Sequence, residues 1–109
     1  GVNYQPPISW RGLRLADITP ELRERYLIEP EVTGVVITSL DEAIVNRVEA
    51  ALRNEIQEGA VINRVDGRPV ASIYHFKREI ARADGLVRIS LVAKDLAIDV
   101  TLPPESPPR

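Results

Sequence analysis

The chain contains one histidine and no cysteine, and that inventory decides early what chemistry it can carry. Thiolate nucleophiles, thiolate or multi-histidine metal sites and disulfides are all excluded. A Ser-His-Asp arrangement would have to use His75. His75 lies between Tyr74 and Phe76 in the first turn of a helix predicted to open at Ser72, where a solvated or half-buried histidine is the ordinary outcome. The carboxylate pairs Asp41 with Glu42 and Glu55 with Glu58 fall on predicted helix surfaces, exposed to water. Gly12 stands alone, without the glycine-rich run and Lys-Ser/Thr ending of a phosphate cradle. The inventory offers no enzyme, no cofactor and no metal site.

What remains is recognition through backbone groups. The stretch ISWRGLRL, residues 8–15, alternates loosely, with Leu13 and Leu15 on one face of a strand and Gly12 marking an edge bulge or a close backbone approach. If Leu13 to Leu15 is an open edge beside the helix of residues 72–82, an extended peptide can add to it as a strand. Its side chains would drop into the slot between strand and helix. The blind end of such a slot needs a glycine-containing turn whose N–H groups converge on a terminal carboxylate, and Trp10-Arg11-Gly12-Leu13 has that character. Arg11 would add about 0–1 kcal/mol of attraction, and burial of the ligand's last apolar side chain roughly 1.5–3 kcal/mol. Affinity for a short peptide is then on the order of micromolar.

The elements that position these residues follow from periodicity and punctuation. GAVINRVDGRPV, residues 59–70, reads as a buried β-branched strand, an Asp66-Gly67 turn and a short edge segment limited by Pro69. The amphipathic run from Ser72 to Gly85 follows as a helix. Upstream, Thr19-Pro20 is an N-cap and first helical residue for a short helix through Leu22, Tyr26 and Leu27, and TGVVIT, residues 33–38, is a buried strand. Ser39 to Glu42 fits a capping box, opening a long helix over 40–58 on Ile44, Val45, Val48, Leu52 and Ile56. LVRISLVAK and LAIDVTLP alternate around a Lys94-Asp95 turn and close the domain as a hairpin. The sum is an α+β, mainly β architecture: five to six strands in an antiparallel, partly open barrel capped by two to three helices.

At 109 residues this is one domain, spanning 8–102, with a linker or frayed N-terminus over 1–7 and a proline-rich, extended tail over 103–109. A net charge of −2 from 14 basic and 16 acidic residues, scattered along the chain, argues against nucleic acid. No apolar stretch approaches the roughly 20 residues of a spanning helix, so membrane insertion is not expected. GVNYQPPISW lacks the features of a signal peptide. The chain has no methionine, which suggests a piece of a longer product.

The order R-G-L-R-L, T-P-E-L, G-V-V-I-T, G-A-V-I-N-R-V-D-G-R-P-V, helix and closing hairpin resembles the PDZ domain over residues 8–102. More narrowly it is similar to the PDZ modules of bacterial HtrA/Deg-type serine proteases, and V-D-G-R-P-V before a helix is its most specific part. The resemblance implies a groove between the Leu13–Leu15 strand, including Arg14, and the Ser72 helix. It places the carboxylate-binding loop on Trp10, Arg11, Gly12 and Leu13, and the helix contribution on some of Ile73, Phe76, Lys77 and Ile80, with core packing the alternative for the apolar stripe Ile73, Phe76 and Ile80. It further implies C-terminal or unfolded peptide segments as partners, a protease catalytic domain elsewhere in the parent chain, and a cell-envelope or periplasmic location. The alternative is a structural or oligomerisation module whose groove is occluded. Two departures stand out: Arg11 replaces the family's usual apolar residue, and the 40–58 helix is longer than usual.

Overall fold

A β-branched run can serve two cores at once, because successive side chains point to opposite faces of a sheet. Val35 and Ile37 enter one apolar cluster while Val36, between them, enters another; Ile62 and Val61 divide in the same way. The computed structural model describes residues 3–41, 56–82, 85–93 and 96–102. Its sheet runs β1 (Ile8–Trp10), β2 (Leu13–Asp17), β3 (Val35–Leu40), β4 (Val61–Val65), β6 (Val87–Ala93) and β7 (Leu96–Leu102), with the short β5 (Arg68–Pro69) paired to β4. Every pairing is antiparallel. This is the mainly β fold expected from the alternation.

Two helices are seen among the described residues, α1 (Pro20–Arg25) and α2 (Ile73–Ile80). Both begin where the sequence places a cap. The Thr19 hydroxyl accepts from the Leu22 N–H at 3.2 Å, and Ser72 accepts from the His75 N–H at 3.2 Å, each satisfying a donor that the helix cannot. The larger cluster lies under α2, where Ile73 and Phe76 meet Leu13, Leu15, Ile37, Ile62, Ile89 and Leu91. The smaller cluster, Ala16, Val36 and Val61, is covered by Leu22 and Tyr26 from α1 and the residue after it. Gly34 fits between the layers only because it lacks a side chain: at φ +145° a Cβ would collide with the Ile62 carbonyl oxygen.

Two boundaries differ from the expectation. Strand β3 continues through Ser39 and Leu40 instead of ending at Thr38, because both residues pair with β2, Ser39 with Arg14 and Leu40 with Leu13. Leu40, expected as the first helical residue, is thus the last residue of a strand, and Glu42, the other half of the expected capping box, lies outside the described residues. Most of the expected 40–58 helix lies outside the described residues; within them Ile56 is buried in the core and 58–59 form a turn. The Lys94-Asp95 turn likewise lies outside the described residues, although β6 and β7 pair in register from Val87–Leu102 to Ala93–Leu96.

Candidate functional site

The strand expected to present an open edge is paired along both sides. On one side β2 bonds to β3; on the other β1 folds back on it, with Ile8 opposite Leu15, Ser9 opposite Arg14 and Trp10 opposite Leu13. The connection is a turn of two residues, Arg11 at φ +49° and Gly12 at φ +80°, the paired positive values of a type I′ hairpin. Gly12 is thus a turn residue and not a bulge. In a two-residue hairpin the flanking pair exchanges hydrogen bonds and the next pair does not, so the Trp10–Leu13 and Ile8–Leu15 pairs consume the β2 groups that a visiting strand would use. This corrects the expectation of a free margin at Leu13–Leu15. Its physical cause is that residues 8–10 carry the same alternation as a ligand strand and are tethered beside the edge.

The turn is reinforced by side chains. Trp10 sets its ring edge-on against Phe76, with centroids 5.1 Å apart and planes at 87°. The Arg11 guanidinium carbon lies 5.1 Å from the centre of the Trp10 ring, and Arg11 is buried, so it covers the indole as a cation–π partner. The Gly12 carbonyl accepts from the Asp41 N–H at 2.8 Å. Arg14 points to solvent, donating weakly to Ser9 Oγ at 3.4 Å, while Leu13 and Leu15 are core residues.

Helix α2 shows two faces to this edge. Ile73 and Phe76 are fully buried and Ile80 is packed against the core, so these three form the floor beneath the slot and not its open wall. Lys77 is exposed. Together with Tyr74, Arg78 and Gln5 it lines a shallow cavity of about 330 Å³. Lys77 and Tyr74 are therefore the part of the helix that residues before β1 approach.

Asp17, at the end of β2, is the residue that sequence reasoning missed. Its carboxylate is buried and accepts from two directions, Oδ1 from the Ile73 N–H at 2.6 Å and Oδ2 from the Gln5 N–H at 2.8 Å. One bond caps the first residue of α2, where a negative charge also complements the helix dipole. The other holds the N-terminal segment, residues 3–7, across the top of the slot. An acid ending the strand is visible in L-R-L-A-D, but nothing in the spacing tells which amides it reaches. A second cavity of about 140 Å³ opens beside it, lined by Asn3, Tyr4, Asp17, Arg23, Gly34 and Ser72 among others.

A scan against protein-family models finds no match, and neither does a search of curated proteins. Solved structures do match. The HtrA3 PDZ domain, crystallised with a phage-derived ligand (FGRWV), superposes with a TM-score of 0.61 at 18% identity, covering 94% of this chain and 90% of that one. The HtrA-type protease AlgW, with a decapeptide, gives a TM-score of 0.64 at 22% identity over 94% of this chain and 31% of its own length. With its antiparallel curled sheet, capped helices and a β2–α2 slot, the chain is a PDZ domain in fold and resembles the PDZ modules of HtrA-type proteases.

Proposed function

We propose that this domain binds extended peptide segments, C-terminal ones in particular, by strand addition to β2, and that it serves as the substrate-recognition or regulatory module of an HtrA-type serine protease. The reading rests on one observation: the superposed PDZ structures hold a peptide ligand, and in this chain the corresponding side of β2, beside helix α2, carries the short strand β1 as an extended chain would lie there. The ligand backbone would pair with Leu13, Arg14 and Leu15, and its terminus would meet the Trp10-Arg11-Gly12-Leu13 turn. Ile73, Phe76 and Ile80 would form the floor, with Lys77 at the rim. Catalysis would belong to another domain of the parent protein, and an envelope location follows from the same kinship.

The paired β2 edge favours a second reading, a structural or oligomerisation module with a closed groove. Titrating dye-labelled peptides that end in an apolar residue, FGRWV among them, separates the two. The first reading expects saturable binding that is lost when the C-terminus is amidated. No saturable binding by the parent chain or by any variant that loosens β1 would leave only the second.

A further inference from the structure

We propose that residues 3–9 are a removable ligand in cis: they occupy the strand-addition site in the free protein and must leave it before a peptide enters. The proposal rests on the peptide-binding reading above and adds its regulation.

Direction supports it first. β1 runs antiparallel to β2 and ends at the Arg11-Gly12 turn, which is the course a ligand takes when its C-terminus lies at that turn. Weak attachment supports it next. β1 is three residues long and lies at the sheet margin, with β2 as its strand partner. Residues 3–7 and Ser9 are exposed, and Ile8 is only partly buried. Segments with few buried contacts and exposed backbone bonds are the first to open. Finally, the turn that folds β1 back places arginine, a residue with a Cβ, at φ +49°, a conformation that disfavours most side chains. Against these stand the Trp10–Phe76 contact and one anchor further out, the Gln5 N–H on the buried Asp17 carboxylate. Asp17 thereby ties the strap to the first residue of the helix that walls the groove.

The ligand's apparent affinity is then its intrinsic affinity scaled by the fraction of molecules with the strap lifted. Two variants of the full chain test this. Ser9 and Arg14 are both exposed and face each other in a non-hydrogen-bonded pair, where Cα atoms stand about 4.5 Å apart, within the roughly 4.4–6.8 Å that a disulfide spans. The chain has no other cysteine, so Ser9→Cys with Arg14→Cys staples β1 to β2 reversibly. The oxidised form should bind FGRWV at least about tenfold more weakly than the same protein reduced. Gln5→Pro removes one N–H from Asp17 and leaves Leu13, Arg14 and Leu15 of the ladder unchanged. It should tighten binding on the order of tenfold, the factor that corresponds to one charge-assisted hydrogen bond. Oxidised and reduced forms binding within about twofold of each other, or Gln5→Pro leaving affinity unchanged, would overturn the strap while peptide binding stood. A parent chain that fails to bind alongside a Gln5→Pro variant that binds would support it. No binding by the parent, the reduced form or Gln5→Pro is a different result, and it removes the peptide-binding reading itself together with this proposal.

Discussion

Truncating Asp17 to alanine should reveal how much of the groove depends on one buried carboxylate. The side chain is 6% exposed and serves two amides. The Ile73 N–H is buried and belongs to the first residue of α2, so no intrahelical carbonyl can replace the lost oxygen; Ser72 already spends its hydroxyl on His75. Leaving a buried amide without a partner costs about 1–3 kcal/mol, and removing a charge from a helix N-terminus costs about 0.3–1 kcal/mol more. The sum, roughly 1.5–4 kcal/mol, is a large share of the about 5–15 kcal/mol that holds a domain of this size together. At about 4 °C per kcal/mol it lowers Tm by roughly 6–16 °C. Urea unfolding followed by Trp10 fluorescence measures it directly, since Trp10 is the sole tryptophan and its ring rests on Phe76 of α2. Asp17→Asn should fall between, because one amide oxygen can still accept while its NH₂ opposes the second donor. Hydrogen exchange at Ile73 should accelerate more than at Ile89, whose amide belongs to strand β6 and not to the cap. An Asp17→Ala protein within about 0.5 kcal/mol of the parent, the range of an ordinary surface change, would refute the claim that this carboxylate closes the helix.

Three further outcomes are expected. Gly34→Ala should destabilise by roughly 2–6 kcal/mol or prevent folding, since it combines a φ that side chains avoid with overlap on the Ile62 carbonyl; a normal Tm in that variant would show that the layers can separate. Arg68 lies 3.7 Å from the Glu79 carboxylate, the first side chain largely exposed and the second buried, so Arg68→Ala should cost about 1 kcal/mol and more than Glu79→Gln, because only the former leaves a buried charge alone. Equal effects in chemical denaturation would contradict that asymmetry. Tyr26 is held above its ordinary value of 10.0, first by desolvation and then by its 2.6 Å hydrogen bond to Glu58 and that group's charge. A raised folded-state value means that the contribution is intact below pH 10.0 and fades as pH rises through the folded value. Ring resonances of Tyr26 should titrate above 10.0 and move down in Glu58→Gln; a midpoint at or below 10.0 would discard the pairing.

The sequence made most of the fold legible because its punctuation is chemical. Thr19-Pro20 and Ser72 cap helices where their side chains predict, and Asp66-Gly67 forms the expected turn at φ +49° and +83°. The turn at Arg11-Gly12 has nearly the same angles, +49° and +80°; a glycine-containing turn is expected from Trp10-Arg11-Gly12-Leu13, but its tight two-residue hairpin form is not readable there. Aspartate before glycine signals positive φ because its short polar side chain tolerates that region. Arginine gives no such signal, and here it adopts the conformation while lying over Trp10. With the hairpin geometry hidden, residues 8–10 are not assigned as the partner of β2, and β2 reads as a free edge. The helix stripe is ambiguous for a related reason. Ile73, Phe76 and Ile80 recur at helical spacing, which fixes that they share an apolar face, but spacing carries no information on whether that face meets a core or a guest.

If β1 is the removable strap proposed above, it has a consequence for which peptides could be ligands. When a peptide replaces β1, the ladder bonds it makes to Leu13 and Leu15 are those that β1 gives up, so backbone hydrogen bonding nearly cancels in the exchange. Selection then falls on what β1 does not supply. β1 has no free carboxylate at the turn, because its chain continues into Arg11, whereas a C-terminal ligand brings a charge to that point. β1 also buries Ile8 only in part, so a ligand that buries an apolar side chain fully at this level gains up to roughly 1.5–3 kcal/mol over it. A peptide with neither feature exchanges like for like and loses the entropy of association besides. On that proposal a groove closed by its own strand discriminates more sharply than an open one: internal segments that would bind a bare edge through backbone alone would be refused, and apolar C-termini would be the ligands that remain.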